Sequence, residues 1–194
     1  MDSFSIILVV VLLILVILSA FFSGSETSIM ALNQIKLDNA EKQGNKSAKI
    51  INSLRKEINR VLGVILIGNN LVNISASALL TFFVIKKFGD EYVWIGTLLL
   101  TIFIIIFAEI APKSFAAKRP ESIAYPASRI LKVLTKYLGS FSEMLTNISN
   151  SLTGIKNNEN YFSENLNRDE LKSVLEKETK EVDKEEMDAL KSIL

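Results

Sequence analysis

Residues 6–22 read IILVVVLLILVILSAFF, without one charged side chain. A helix that crosses the hydrocarbon core of a bilayer needs roughly 20 mostly apolar residues. This run and its flanks supply them. Residues 61–85, VLGVILIGNNLVNISASALLTFFVI, make a second uncharged run. Residues 93–108, VWIGTLLLTIFIIIFA, make a third, which reaches spanning length by continuing through Glu109. The first run has no positive segment before it, only Asp2, and it is long for the core of a cleaved signal peptide. The reading is therefore an all-α membrane protein with three transmembrane helices.

The 194-residue chain has a net charge of only +1, which argues against nucleic acid as a partner and leaves membrane lipid. Cysteine and histidine are both absent. That removes disulfides, cysteine nucleophiles, histidine bases and the usual ligands of zinc and copper. A metal ion could be held only by oxygen, which suits hard cations such as magnesium, calcium or sodium.

Basic residues sit unevenly between the runs. Lys36, Lys42, Lys46, Lys49, Arg55, Lys56 and Arg60 lie between the first and second. Lys86 and Lys87, balanced by Asp90 and Glu91, lie between the second and third. Lys113, Lys118, Arg119, Arg129, Lys132 and Lys136 follow the third. Basic loops stay in the cytoplasm. The expected arrangement is a multi-pass protein of the cell membrane, N-terminus outside and C-terminus cytoplasmic.

Residues 33–59 are polar, with alternating charge, and read as a helical but solvated connection. In residues 121–153, Ile130, Leu131, Val133, Leu134, Tyr137, Leu138, Phe141, Leu145 and Ile148 recur at helical spacing, with Arg129, Lys132 and Lys136 on another face. This predicts a juxtamembrane amphipathic helix on the cytoplasmic membrane surface. Residues 1–153 thus form a transmembrane domain. Residues 154–194 form an acidic cytoplasmic helical region, a short bundle after a linker. Cap pairs Asn167/Glu170 and Asp183/Glu186 each precede a narrow apolar stripe there. The second stripe runs to Leu194, and a further cytoplasmic domain is expected after it.

Polar groups inside a bilayer are costly, and ionisable ones are functional candidates. Each run carries a set. Ser19 and Ser23 are four apart and share a helix face, beside Gly24. Asn69 and Asn73 are four apart, while Asn70, Asn73 and Ser77 form an overlapping stripe, beside Gly68. Glu109 precedes Pro112, whose missing N–H frees the carbonyl of Ala108. Helix breaks near Gly24, Gly68 and Pro112 would let the three sets converge. Together they offer hydroxyls, amide oxygens, a carboxylate and a backbone carbonyl, an oxygen-only cation site with Glu109 as its charged ligand. Serine packing, asparagine pairing between helices and a Glu109–Lys113 ion pair are the structural alternatives.

FFSGSETSIMAL (21–32), GNNLVN (68–73) and AEIAPKSFA (108–116), in this order and one per span, resemble the transmembrane domain of the CNNM/CorC family of magnesium transporters. The resemblance implies a homodimer with three spans per subunit and a magnesium site near the middle of the membrane. Its ligands would be Ser19, Ser23, Asn69 or Asn70, Asn73 and Glu109. It implies magnesium as the transported ion, sodium coupling in some members, and a following CBS-pair domain that regulates transport. Two other functions compete. One is an ion-sensing membrane anchor or accessory subunit of a different transporter. The other is an intramembrane hydrolase with Ser23 or Ser25 as nucleophile and Lys113 as base, the weaker because lysine is the only available base. The expectation is a transporter, not an enzyme.

Overall fold

The computed structural model describes residues 3–153. The chain divides into two units at Gly154/Ile155, and the described residues belong to the first. The expected acidic tail helices lie outside the described residues. The order is α1 (Ser3–Ala31), α2 (Gln34–Lys42), α3 (Lys46–Arg55), α4 (Ile58–Phe88), a 3₁₀ turn (Asp90–Tyr92), α5 (Val93–Phe103), a π-helical segment (Ile104–Ile110), α6 (Ala111–Lys118) and α7 (Pro120–Thr153). No strand occurs among the described residues. The fold is all-α. Three stretches are long and apolar enough to cross a membrane: Ser3–Ala31, Ile58–Phe88 and Asp90–Lys118.

α1 is the central element, packed against α4, the π segment, α6 and α7. α1 and α4 are antiparallel. Ile29 and Ile58 share one buried cluster, Ser19 bonds Asn69, and Phe4 meets Phe82 edge-on at 6.3 Å. A Cβ on Gly68 would fall 2.5 Å from Cζ of Phe22, so only glycine lets the two helices approach with that ring between them. Gly89 ends α4 at φ 101° and donates to the carbonyls of Val84 and Ile85. Its backbone turns where a side chain would be strained. The third span then runs back beside α4 and parallel to α1. A Cβ on Gly96 would approach Val84, and one on Gly24 would lie 3.6 Å from Cβ of Pro112.

Two expectations need correction. α1 and α4 run unbroken through Gly24 and Gly68. In lipid a broken helix leaves polar backbone unsatisfied at several kcal/mol per group, against about 1 kcal/mol for a helical glycine. Only the third span departs from α-geometry, and it does so by widening to a π turn just before Pro112. The 33–59 segment is also more than a solvated connection. Asn33 accepts from the N–H of Lys36, and Asn45 from those of Ser47 and Ala48, so each asparagine starts a helix. Leu37, Ala48 and Ile51 are then buried with Leu32 and Ala124. Arg55 Nη2 donates to the carbonyls of Ile29 and Leu32, both at 2.8 Å. A fixed cation thus satisfies the end of α1, where helix carbonyls lack partners.

α7 is one helix, and its apolar residues divide between two faces. Ala124, Ala127, Ser128, Leu131, Thr135 and Ser142 are buried against the bundle. Ile130, Val133, Tyr137, Phe141, Leu145 and Ile148 are exposed. The small residues permit close packing on α3 and α4, and the larger apolar ones are left for lipid or a second copy.

Candidate metal centre

Ser19 and Ser23 are both fully buried on α1, the helix that packs against α4 and the third span. The Ser19 hydroxyl donates to Asn69 Oδ1 at 2.9 Å. Asn73, one turn further along α4, has Oδ1 buried without a hydrogen-bond donor, and the Ser23 hydroxyl is likewise buried and unpartnered. Asn70 is exposed on another face of α4. Of the two asparagines left open by the sequence, Asn69 is therefore the one that faces Ser19.

Glu109 lies inside the π segment, half-buried, next to the fully buried Ala108. Its level follows from the neighbouring contact. Pro112 sits at Gly24, and α1 runs parallel to the third span. Glu109 is about one turn back from Pro112 and so falls at the height between Ser19 and Ser23. The π turn has a local cause. The N–H of Ala111 bonds the carbonyl of Ile106, five residues back. Pro112 has no N–H to continue the ladder, so it offers no donor to the carbonyls of the turn before it.

Lys113 is not the partner of Glu109. Its Nζ lies 3.6 Å from Glu26 on α1. Among the described residues Glu109 has no ion-pair partner. Lys113 thus meets a carboxylate rather than the hydroxyl of Ser23 or Ser25. No group of three His, Cys, Asp or Glu side chains occurs among the described residues. A cation here would meet one carboxylate and a majority of neutral oxygens.

The Ser25 side chain, two residues on from Ser23 and so on another side of α1, is also fully buried, and its hydroxyl too has no partner. The π turn was not foreseen, although Pro112 signalled a freed carbonyl. Unpaired buried polar groups each cost about 1–3 kcal/mol. Three of them, Ser23, Ser25 and Asn73, in two packed helices call for a ligand or water.

The fold and these groups define a helical multi-pass membrane protein with a polar centre inside its spans. The Cyclin M transmembrane N-terminal domain family (CNNM) matches residues 10–187. The chain is 39% identical over 180 residues to the UPF0053 inner membrane protein YfjD of Escherichia coli, covering 91% of this chain and 42% of that protein. It is 44% identical over 129 residues to a UPF0053 protein of Haemophilus influenzae, covering 66% of this chain and 31% of that one. A putative DUF21 domain-containing chloroplastic protein of Arabidopsis thaliana is 33% identical over 180 residues, covering 91% and 27%. The chain belongs to the CNNM family. It spans less than half the length of these relatives.

Proposed function

We propose that this chain is the membrane domain of a divalent-cation transporter that exports magnesium. The carrying observation is the Ser19–Asn69 bond near the level of Glu109, flanked along the two antiparallel helices by the buried, unpartnered oxygen of Ser23 on one side and of Asn73 on the other. Ser19, Ser23, Asn69 and Asn73 supply neutral oxygens. Glu109 supplies the charge, and a carbonyl freed by Pro112 completes the set. Magnesium sheds water reluctantly and is usually held by one or two carboxylates with several waters retained. One carboxylate among neutral oxygens fits a partly hydrated ion, bound weakly enough to leave. Sodium moving the other way would drive export. The working unit in this reading is a homodimer in the cell membrane, N-terminus outside and C-terminus cytoplasmic. In the longer protein a following CBS-pair domain would regulate it.

The test is flux. Purified protein in liposomes, in a form that includes the following domain, should move magnesium down its gradient and respond to an opposing sodium gradient. Glu109→Gln should abolish most of that flux. Magnesium binding without flux in the parent would favour the ion-sensing accessory subunit. Absence of both binding and flux would defeat the proposal.

A further inference from the structure

A second polar cavity lies away from the membrane centre, where α3 gives way to α4 and both meet α7. It has a volume of about 250 Å³ and is lined by Ser53, Glu57, Arg60, Lys132, Thr135 and Lys136 among others. Pockets for drug-sized ligands run to roughly 300–1,000 Å³, so this one suits something smaller. The three cations outnumber Glu57. Arg60 is shared, with Glu57 at 3.0 Å and Glu143 at 3.5 Å. Lys132 and Lys136 have no carboxylate partner among the described residues.

One further group points to a ligand. Thr135 is 6% exposed, lines the cavity, and its hydroxyl is buried without a hydrogen-bond partner. A hydroxyl left unpaired at a protein–protein contact costs stability, whereas one that donates to a bound anion does not. The cavity also opens at the N-terminus of the 31-residue α4, whose unpaired N–H groups favour negative charge. Val133 and Tyr137 stand exposed on α7 beside the cavity lysines. The uncharged run of α4 starts at Val61, directly after Arg60. The cavity therefore lies at the height where lipid headgroups begin.

We propose that this cavity binds a phosphate group, with Lys132, Lys136 and Arg60 as its cations and the Thr135 hydroxyl as a neutral donor. The phosphate of an anionic phospholipid meets these groups with its acyl chains along the exposed apolar face of α7. A soluble phosphate would meet the same four groups.

Purified protein, delipidated and then titrated with phosphatidylglycerol or phosphatidylcholine, is followed by native mass spectrometry and by melting temperature. Inorganic phosphate and glycerol 3-phosphate form a parallel arm. The parent should retain phosphatidylglycerol over phosphatidylcholine. Lys132→Gln with Lys136→Gln should weaken that retention by roughly 25-fold, about five-fold per lysine. Thr135→Val changes shape and charge little, so a diffuse basic surface would not register it. A built cavity should lose about five-fold in retention. Its melting temperature in phosphatidylcholine should stay level or rise. Stabilisation by the soluble phosphates alone, lost in both variants, would support the cavity and assign it a soluble ligand. Retention unchanged in Thr135→Val, or no preference for phosphate in either arm, would overturn the proposal.

Discussion

Ser23 and Asn73 give a residue-scale test in which structural and ion-binding roles predict opposite signs. Each buries an oxygen without a partner. If the oxygens only pack, they are costly, and nothing is lost with them. If they bind an ion, the same cost is offset when the ion arrives. Ser23→Ala and Asn73→Ala should therefore melt level with or above the parent without magnesium, with up to about 1–3 kcal/mol of relief. Both should show a smaller rise than the parent when magnesium is added. Asn70→Ala, on the exposed face, should leave the magnesium response intact. A full magnesium rise in Ser23→Ala and Asn73→Ala would remove them from the site. The sequence revealed which residues were out of place, because a polar group in an apolar run is visible by composition alone. It did not reveal which of Asn69 and Asn70 turns inward. The two differ by 100° about the helix axis, and only the position of α1 decides between them.

At the scale of elements, the spans were legible because length and apolarity are properties of the run itself. The close contacts that set their register were not. Gly68 read as a break, yet it is the gap through which Phe22 reaches α4. Gly68→Ala should place a methyl against that ring and cost about 1–3 kcal/mol of overpacking. Phe22→Leu should recover part of the loss. Melting temperatures of the two single variants and the double variant measure the coupling, and strictly additive effects would refute the contact. The π turn was beyond the sequence because Pro112 specifies that a carbonyl is freed, not how many residues upstream absorb the misfit. Pro112→Ala restores the donor and should let the third span wind as a regular α-helix. The account expects a folded protein with a weakened magnesium response, read by the same melting assay. A response equal to the parent's would show that the turn does not shape the site. The α2–α3 pair teaches a further point. Its charges read as solvated, but Leu37, Ala48, Ile51 and Leu54 lie buried within it. Short helices bury few residues, and periodicity over so few is a weak signal.

For the whole molecule, the account joins a membrane topology, an assembly and an ion. Since the chain has no cysteine, single introduced cysteines report sidedness directly. A cysteine at position 45 should be shielded from impermeant reagent in intact cells, and one at position 90 should react. The reverse pattern would invert the topology. The exposed apolar residues of α5 and α7, such as Trp94, Leu98, Ile130 and Val133, must face lipid or a second subunit. Cross-linking in native-like lipid should yield dimers, and monomers alone would contradict the assembly. The central claim is that Glu109 is the charged ligand of a magnesium site formed with α1 and α4. Its most direct test is the melting temperature of the purified protein with and without magnesium, for the parent and for Glu109→Gln. Glutamine keeps the shape and one oxygen but loses the charge. At about 100 times its dissociation constant, magnesium should stabilise the parent by roughly 2.7 kcal/mol. Glu109→Gln should melt near the magnesium-free parent and lose most of that increment. A full increment in Glu109→Gln would contradict the account.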